Sequence, residues 1–179
     1  MARSITHILV PTDFGPASDA ALAYAKDLAE KYSARLSLLH VLTSPEATGY
    51  WTSEVYVPAS LEARERLTRQ ARERAENALT AEERSRCGVV IQVRVGSVAD
   101  DILDFAREHD VNLIVMGTHG RRGLSHLLLG SVAEHVLRRA PCPVVTTREQ
   151  AEAEPIMEES AATVRLVPAH DRREADDVC

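Results

Sequence analysis

Gly117-Thr118-His119-Gly120-Arg121-Arg122-Gly123-Leu124-Ser125-His126-Leu127-Leu128-Leu129-Gly130-Ser131 is the stretch that decides how this chain is read. It follows an apolar run at residues 111–116 and opens a helix-like run at 132–140. Glycines between a strand and a helix let backbone N–H groups come close to phosphate oxygens, and the following helix adds its positive end. The spacing, G-x2-G-x9-G-S, is neither G-x-x-x-x-G-K-[ST] nor G-x-G-x-x-G. The stretch holds no lysine, so a phosphate grip here rests on backbone amides, on Ser131 and on the loop arginines.

Outward from this loop the chain alternates strands and helices. Short apolar strands are predicted at residues 5–11, 36–42, 89–95, 111–116 and 143–147. Helices are predicted at 16–32, 61–86, 97–109 and 131–139. Pro16 suits a first helical turn. Ser97 and Asp100 are spaced as a capping box, and Leu67, Ala71, Ala75 and Ala78 mark a buried stripe on the longest helix. Strands joined by helices of this length imply βαβ crossovers and a parallel sheet covered on both faces. Such sheets bind ligands beyond the C-terminal ends of their strands, where strand order reverses. Asp13, Val41 and Gly117 all fall at strand ends.

Residues 43–58 break the alternation with Pro45, Gly49, Tyr50, Trp51 and Tyr56. The segment reads as a surface loop that folds its rings back over the sheet edge.

The glycine spacing resembles the ATP-binding signature of the universal stress protein family. Ile8-Leu9-Val10-Pro11-Thr12-Asp13 is similar to that family's first strand and its terminal aspartate. Leu38-Leu39-His40-Val41 is similar to the end of its second strand, and Ala140-Pro141-Cys142-Pro143-Val144-Val145 to its last turn and strand. The resemblance spans residues 4–147. It implies an α/β, Rossmann-like open parallel five-stranded sheet of order 3-2-1-4-5, helices on both faces, akin to the adenine nucleotide α-hydrolases. It also implies ATP, carried with Mg2+, as cofactor, and a homodimer joined through the edge strand at residues 143–147. Function is expected to be that of a nucleotide-dependent regulatory module in the stress response. The alternatives are a slow nucleotide hydrolase and an interaction protein without nucleotide dependence.

Each site residue has a plainer reading beside the functional one. The amides of Gly130, Ser131 and Val132 would face phosphate oxygens, yet Ser131 and Glu134 also match a helix capping box. Asp13 suits a ribose hydroxyl or a phosphate-held metal, and equally suits the first turn of the next helix. Pro11, Thr12 and Val41 would line the adenine and ribose pocket. Met116 would lie near the base, although a Met at a strand end is more often core. Gly117 and Gly120 serve either turn geometry or the anion cradle. Arg121 and Arg122 meet the β- and γ-phosphates or remain solvated, and His119 approaches the phosphates without an evident partner for catalysis. No catalytic residue and no metal site is assigned: the chain lacks a G-x-S-x-G elbow, a Walker lysine and a His pair at helical spacing.

The bulk composition constrains the remainder. The chain of 179 residues has 45% hydrophobic and 27% charged residues, as expected of a globular domain with a sizeable core. The net charge of −6 is concentrated at the C-terminal end, since residues 148–179 hold nine acids against four arginines. No basic excess points to nucleic acid. Cys87, Cys142 and Cys179 are odd in number and without C-x-x-C spacing, so no disulfide framework is expected. No apolar run approaches bilayer length, and Thr6, His7 and Asp13 interrupt any secretory core, so a cytoplasmic location is expected. The reading divides the chain into a domain at 1–147 and an acidic, flexible tail at 148–179.

Overall fold

The computed structural model describes residues 4–53, 55–118 and 130–148. The tail at 149–179 and the loop residues 119–129 lie outside the described residues. The elements run β1 (His7–Pro11), α1 (Pro16–Tyr32), β2 (Arg35–Leu42), α2 (Pro45–Thr48), β3 (Tyr50–Trp51), β4 (Tyr56–Val57), α3 (Leu61–Asn77), α4 (Ala81–Arg86), β5 (Val90–Val95), α5 (Val98–Glu108), β6 (Leu113–Gly117), α6 (Ser131–Arg139) and β7 (Val144–Thr147).

Five strands form one sheet in the order β5-β2-β1-β6-β7, and every neighbouring pair is parallel. Among the described residues β3 and β4 pair only with each other, antiparallel. Counting the sheet strands alone, the order is therefore 3-2-1-4-5, as the resemblance implies. The direction of strand order reverses between β1 and β6.

Alternation along the strands explains the two covered faces. Ile8, Val10, Leu36, Leu38, Leu113 and Val115 pack on one face with Ala21, Leu22, Ala25 and Ala29 of α1 and Ala75 of α3. Leu9, Leu39, Val41, Ile114 and Met116 pack on the other with Ile102, Phe105, Ala133 and Val136 of α5 and α6. Burying each large aliphatic chain contributes about 1.5–3 kcal/mol. That is why the central strands read as unbroken apolar runs rather than as alternating ones.

Two sequence expectations are corrected. The helix predicted over 61–86 is two helices. α3 ends at Asn77, and Thr80 starts α4 with a reciprocal cap: its hydroxyl accepts from the Glu83 amide at 3.1 Å and its own amide donates to Glu83 Oε2 at 2.8 Å. The break buries Leu79, at 5% exposure, and leaves Ala78 outside the buried stripe. The aromatic segment, read as a loop, holds the short helix α2 and the β3–β4 hairpin, and its rings do not fold back. Trp51 is 77% exposed and stacks on Tyr56 at 5.3 Å, while the Tyr56 hydroxyl donates to the Thr48 carbonyl at 2.6 Å. A third difference is smaller. The Ser97 hydroxyl donates to Asp100 Oδ2 at 2.8 Å instead of accepting from the backbone of α5.

Candidate functional site

The strand order reverses between β1 and β6, and β1 runs there into the turn at residues 12–15. Short polar side chains tie this turn to itself. Asp13 Oδ1 accepts from the Gly15 amide at 3.0 Å, a local bond that Asp favours at helix entries. Thr12 Oγ1 accepts from the Phe14 amide at 2.9 Å. Ser18 donates to the Gly15 carbonyl at 2.8 Å, so the Thr12 hydroxyl supplies the proton between Thr12 and Ser18, 3.2 Å apart. Gly15 caps α1, and Pro16 occupies its first turn, where a missing N–H costs nothing.

The second part of the site is the start of α6. Gly130 is its N-cap, with extended backbone, and the first intrahelical bond runs from the Glu134 amide to the Gly130 carbonyl at 2.9 Å. The amides of Ser131, Val132 and Ala133 precede that bond and have no acceptor within the helix. Ser131 is the first helical residue and is exposed. Gly130 rather than Ser131 is the N-cap, so the capping box between Ser131 and Glu134 does not form, and Glu134 pairs with Arg138 at 2.9 Å.

Thr118 fixes the base of this loop. Its amide donates to the Thr147 carbonyl at 2.8 Å, and its carbonyl accepts from the Gly130 amide at 2.9 Å. This revises one expectation: the Gly130 N–H is already committed to the loop base, and of the three amides expected to face phosphate, those of Ser131 and Val132 remain.

The remaining expected residues divide by burial. Thr12, Val41 and Met116 are 9%, 8% and 4% exposed. Val41 and Met116 pack in the core under α5 and α6, so what they offer a ligand is backbone. Pro11 closes β1 opposite Leu39. Gly117 is a packing glycine: a Cβ there would sit 2.9 Å from the carbonyl carbon of Ala17. His119, Gly120, Arg121 and Arg122 lie outside the described residues.

Sequence reading missed Phe14, Ser18, His40 and Thr118 as builders of the site. Ser18 stands three residues after the glycine that caps α1, and its hydroxyl oxygen accepts from the Gly15 amide at 3.1 Å. The others depend on contacts between distant strands and carry no local signature.

The sequence model of the universal stress protein family matches residues 4–148. The chain belongs to the universal stress protein family. A universal stress protein of Bacillus subtilis is 36% identical over 146 residues, covering 79% of this chain and 97% of that one. The solved universal stress protein UspA of Lactobacillus plantarum superposes with a TM-score of 0.64 at 26% identity, covering 82% of this chain and 99% of that one. A universal stress protein of Archaeoglobus fulgidus, solved in complex with dAMP, shares the fold with a TM-score of 0.55 at 22% identity, over 81% and 99% of the two chains. The region matched by the universal stress protein family holds the sheet and its helices and ends one residue past β7.

Proposed function

We propose that this universal stress protein binds an adenine nucleotide, ATP carried with Mg2+, where the strand order reverses, and that occupancy biases its conformation or its choice of partner. The carrying observation is the first turn of α6, whose leading amides have no acceptor within the helix and whose start is tied to the end of β6. A helix start of this kind holds phosphate by backbone amides and by its dipole without a lysine. Ser131 adds a hydroxyl donor, and Asp13 is the carboxylate placed for a ribose hydroxyl or for the metal that the phosphates bring. Among the described residues no cluster of three or more His, Cys, Asp or Glu side chains forms a metal site of its own. The donors at the helix start suit phosphate, and the choice of ATP follows the family resemblance. At 22% identity the dAMP-bound Archaeoglobus structure vouches for the fold alone.

The same proposal includes a homodimer through β7, whose outer edge has no neighbouring strand among the described residues, and a cytoplasmic location. No helix among the described residues is long and apolar enough to cross a membrane.

Ser131→Glu tests the site. A carboxylate at the first helical position favours the helix, yet it places negative charge where phosphate is to bind. Calorimetry with ATP and Mg2+ is expected to show binding by the wild type and a loss of at least about ten-fold in the variant, with an unchanged circular dichroism spectrum. Equal affinity in both proteins rejects the site.

A further inference from the structure

Three side chains from three separate elements are stacked beside the turn that carries Asp13. The Phe14 ring lies 4.6 Å from the His40 ring, centroid to centroid. The Arg74 guanidinium of α3 covers the Phe14 ring at 4.8 Å and donates to the Phe14 carbonyl at 3.4 Å. His40 Nδ1 donates to the Thr12 carbonyl at 2.8 Å, because a carbonyl only accepts. Asp13 is thus held between two gripped neighbours.

The grip has something to resist. Phe14 has a φ of 60°, the left-handed region that a bulky aromatic residue adopts only under constraint. Relaxation of Phe14 to ordinary backbone would rotate the peptide planes on either side of it. The Asp13–Gly15 bond would not survive that rotation. A cation over an aromatic face is an attraction that ordinary packing does not supply, and here it presses the strained residue onto its support.

We propose that Arg74 is a positioning residue for Asp13: by clamping Phe14 on His40 it keeps the turn in the shape that presents the carboxylate to the nucleoside. The proposal deepens the nucleotide reading above and rests on it for its second half. Arg74 does not touch the ligand in this account; it acts through Phe14.

The full chain tests both halves separately. Without ligand, hydrogen exchange at the Gly15 amide reports the turn. Arg74→Gln removes the cation and its reach to the Phe14 carbonyl, and exchange is expected to rise about five-fold. Arg74→Lys retains a cation over the ring and is expected to restore most of the protection. Unchanged exchange in Arg74→Gln overturns the clamp. With Mg2+, calorimetry compares ATP with 2′,3′-dideoxy-ATP, which lacks the hydroxyls that Asp13 would hold. Arg74→Gln is expected to weaken ATP about five-fold and to leave the dideoxy analogue unchanged. Equal weakening of both overturns the link to Asp13. A wild-type protein that binds neither overturns the nucleotide reading and the second half with it, while the exchange result still decides the clamp.

Discussion

Gly117 and Ala17 meet backbone to backbone at the end of β6. A Cβ at residue 117 would lie 2.9 Å from both the carbonyl carbon and the Cβ of Ala17, and 3.1 Å from its oxygen. The Thr147 hydroxyl donates to that same oxygen at 3.0 Å. The first turn of α1 is therefore pinned against both β6 and β7. Gly117→Ala is expected to destabilise the fold by about 1–3 kcal/mol through overpacking, read from urea unfolding. An Ala17→Gly partner removes one of the two clashing atoms, and a double-mutant cycle is expected to show favourable coupling between the positions. Full additivity would mean that the two residues do not meet as described.

His7 makes stability depend on pH. The ring is 3% exposed; Nδ1 donates to the His109 carbonyl at 2.9 Å, and Nε2 accepts from Ser37, 2.8 Å away. Burial pushes its pKa below the ordinary histidine value, partly opposed by the His109 carbonyl and assisted by the Arg35 charge. The unfolded chain thus takes up a proton at a higher pH than the folded one. Stability is full above the unfolded pKa of about 6.5 and falls as pH drops below it. Urea midpoints at pH 7.5 and 5.5 are expected to differ more for the wild type than for His7→Gln. Equal differences would remove His7 from the cause.

The proposed dimer edge has a polarity that the backbone reveals. The carbonyls of Pro143 and Thr147 accept from the Ile114 and Thr118 amides. Residues two apart on a strand point their backbone groups the same way, so the groups of Val145 also face β6, while those of Val144 and Thr146 face outward. Thr146→Pro removes an outward donor and spares the inner ladder, a substitution that edge strands tolerate. Light scattering is expected to show a wild-type dimer and a larger monomer fraction in the variant. A wild-type monomer at micromolar concentration rejects the interface.

Much of the fold was legible because its signals are local. The apolar runs at the positions of β1, β2 and β6 and the helix entry at Pro16 need no distant partner to be read. The division of α3 from α4 was also written locally, as the Thr80-x-x-Glu83 cap, but the arginine-rich run around it masks the signal by keeping a helical character throughout. The aromatic hairpin was not legible. Whether Trp51 and Tyr56 fold inward depends on how the β3–β4 ribbon leaves the sheet, which no short window encodes. Of the site, Asp13 and the start of α6 were visible as a strand end and a glycine before a helix. The commitment of the Gly130 amide and the stack of Arg74, Phe14 and His40 were not, since each joins segments far apart in the chain.

The bond between Thr118 and Gly130 also brings together the two residues that flank residues 119–129. These two are fastened to each other and, through Thr147, to the rim of the sheet. Lengthening a loop whose ends are already held together costs only about 0.6 kcal/mol per doubling. Residues inserted between Thr118 and Gly130 are thus expected to leave the stability of the sheet almost untouched.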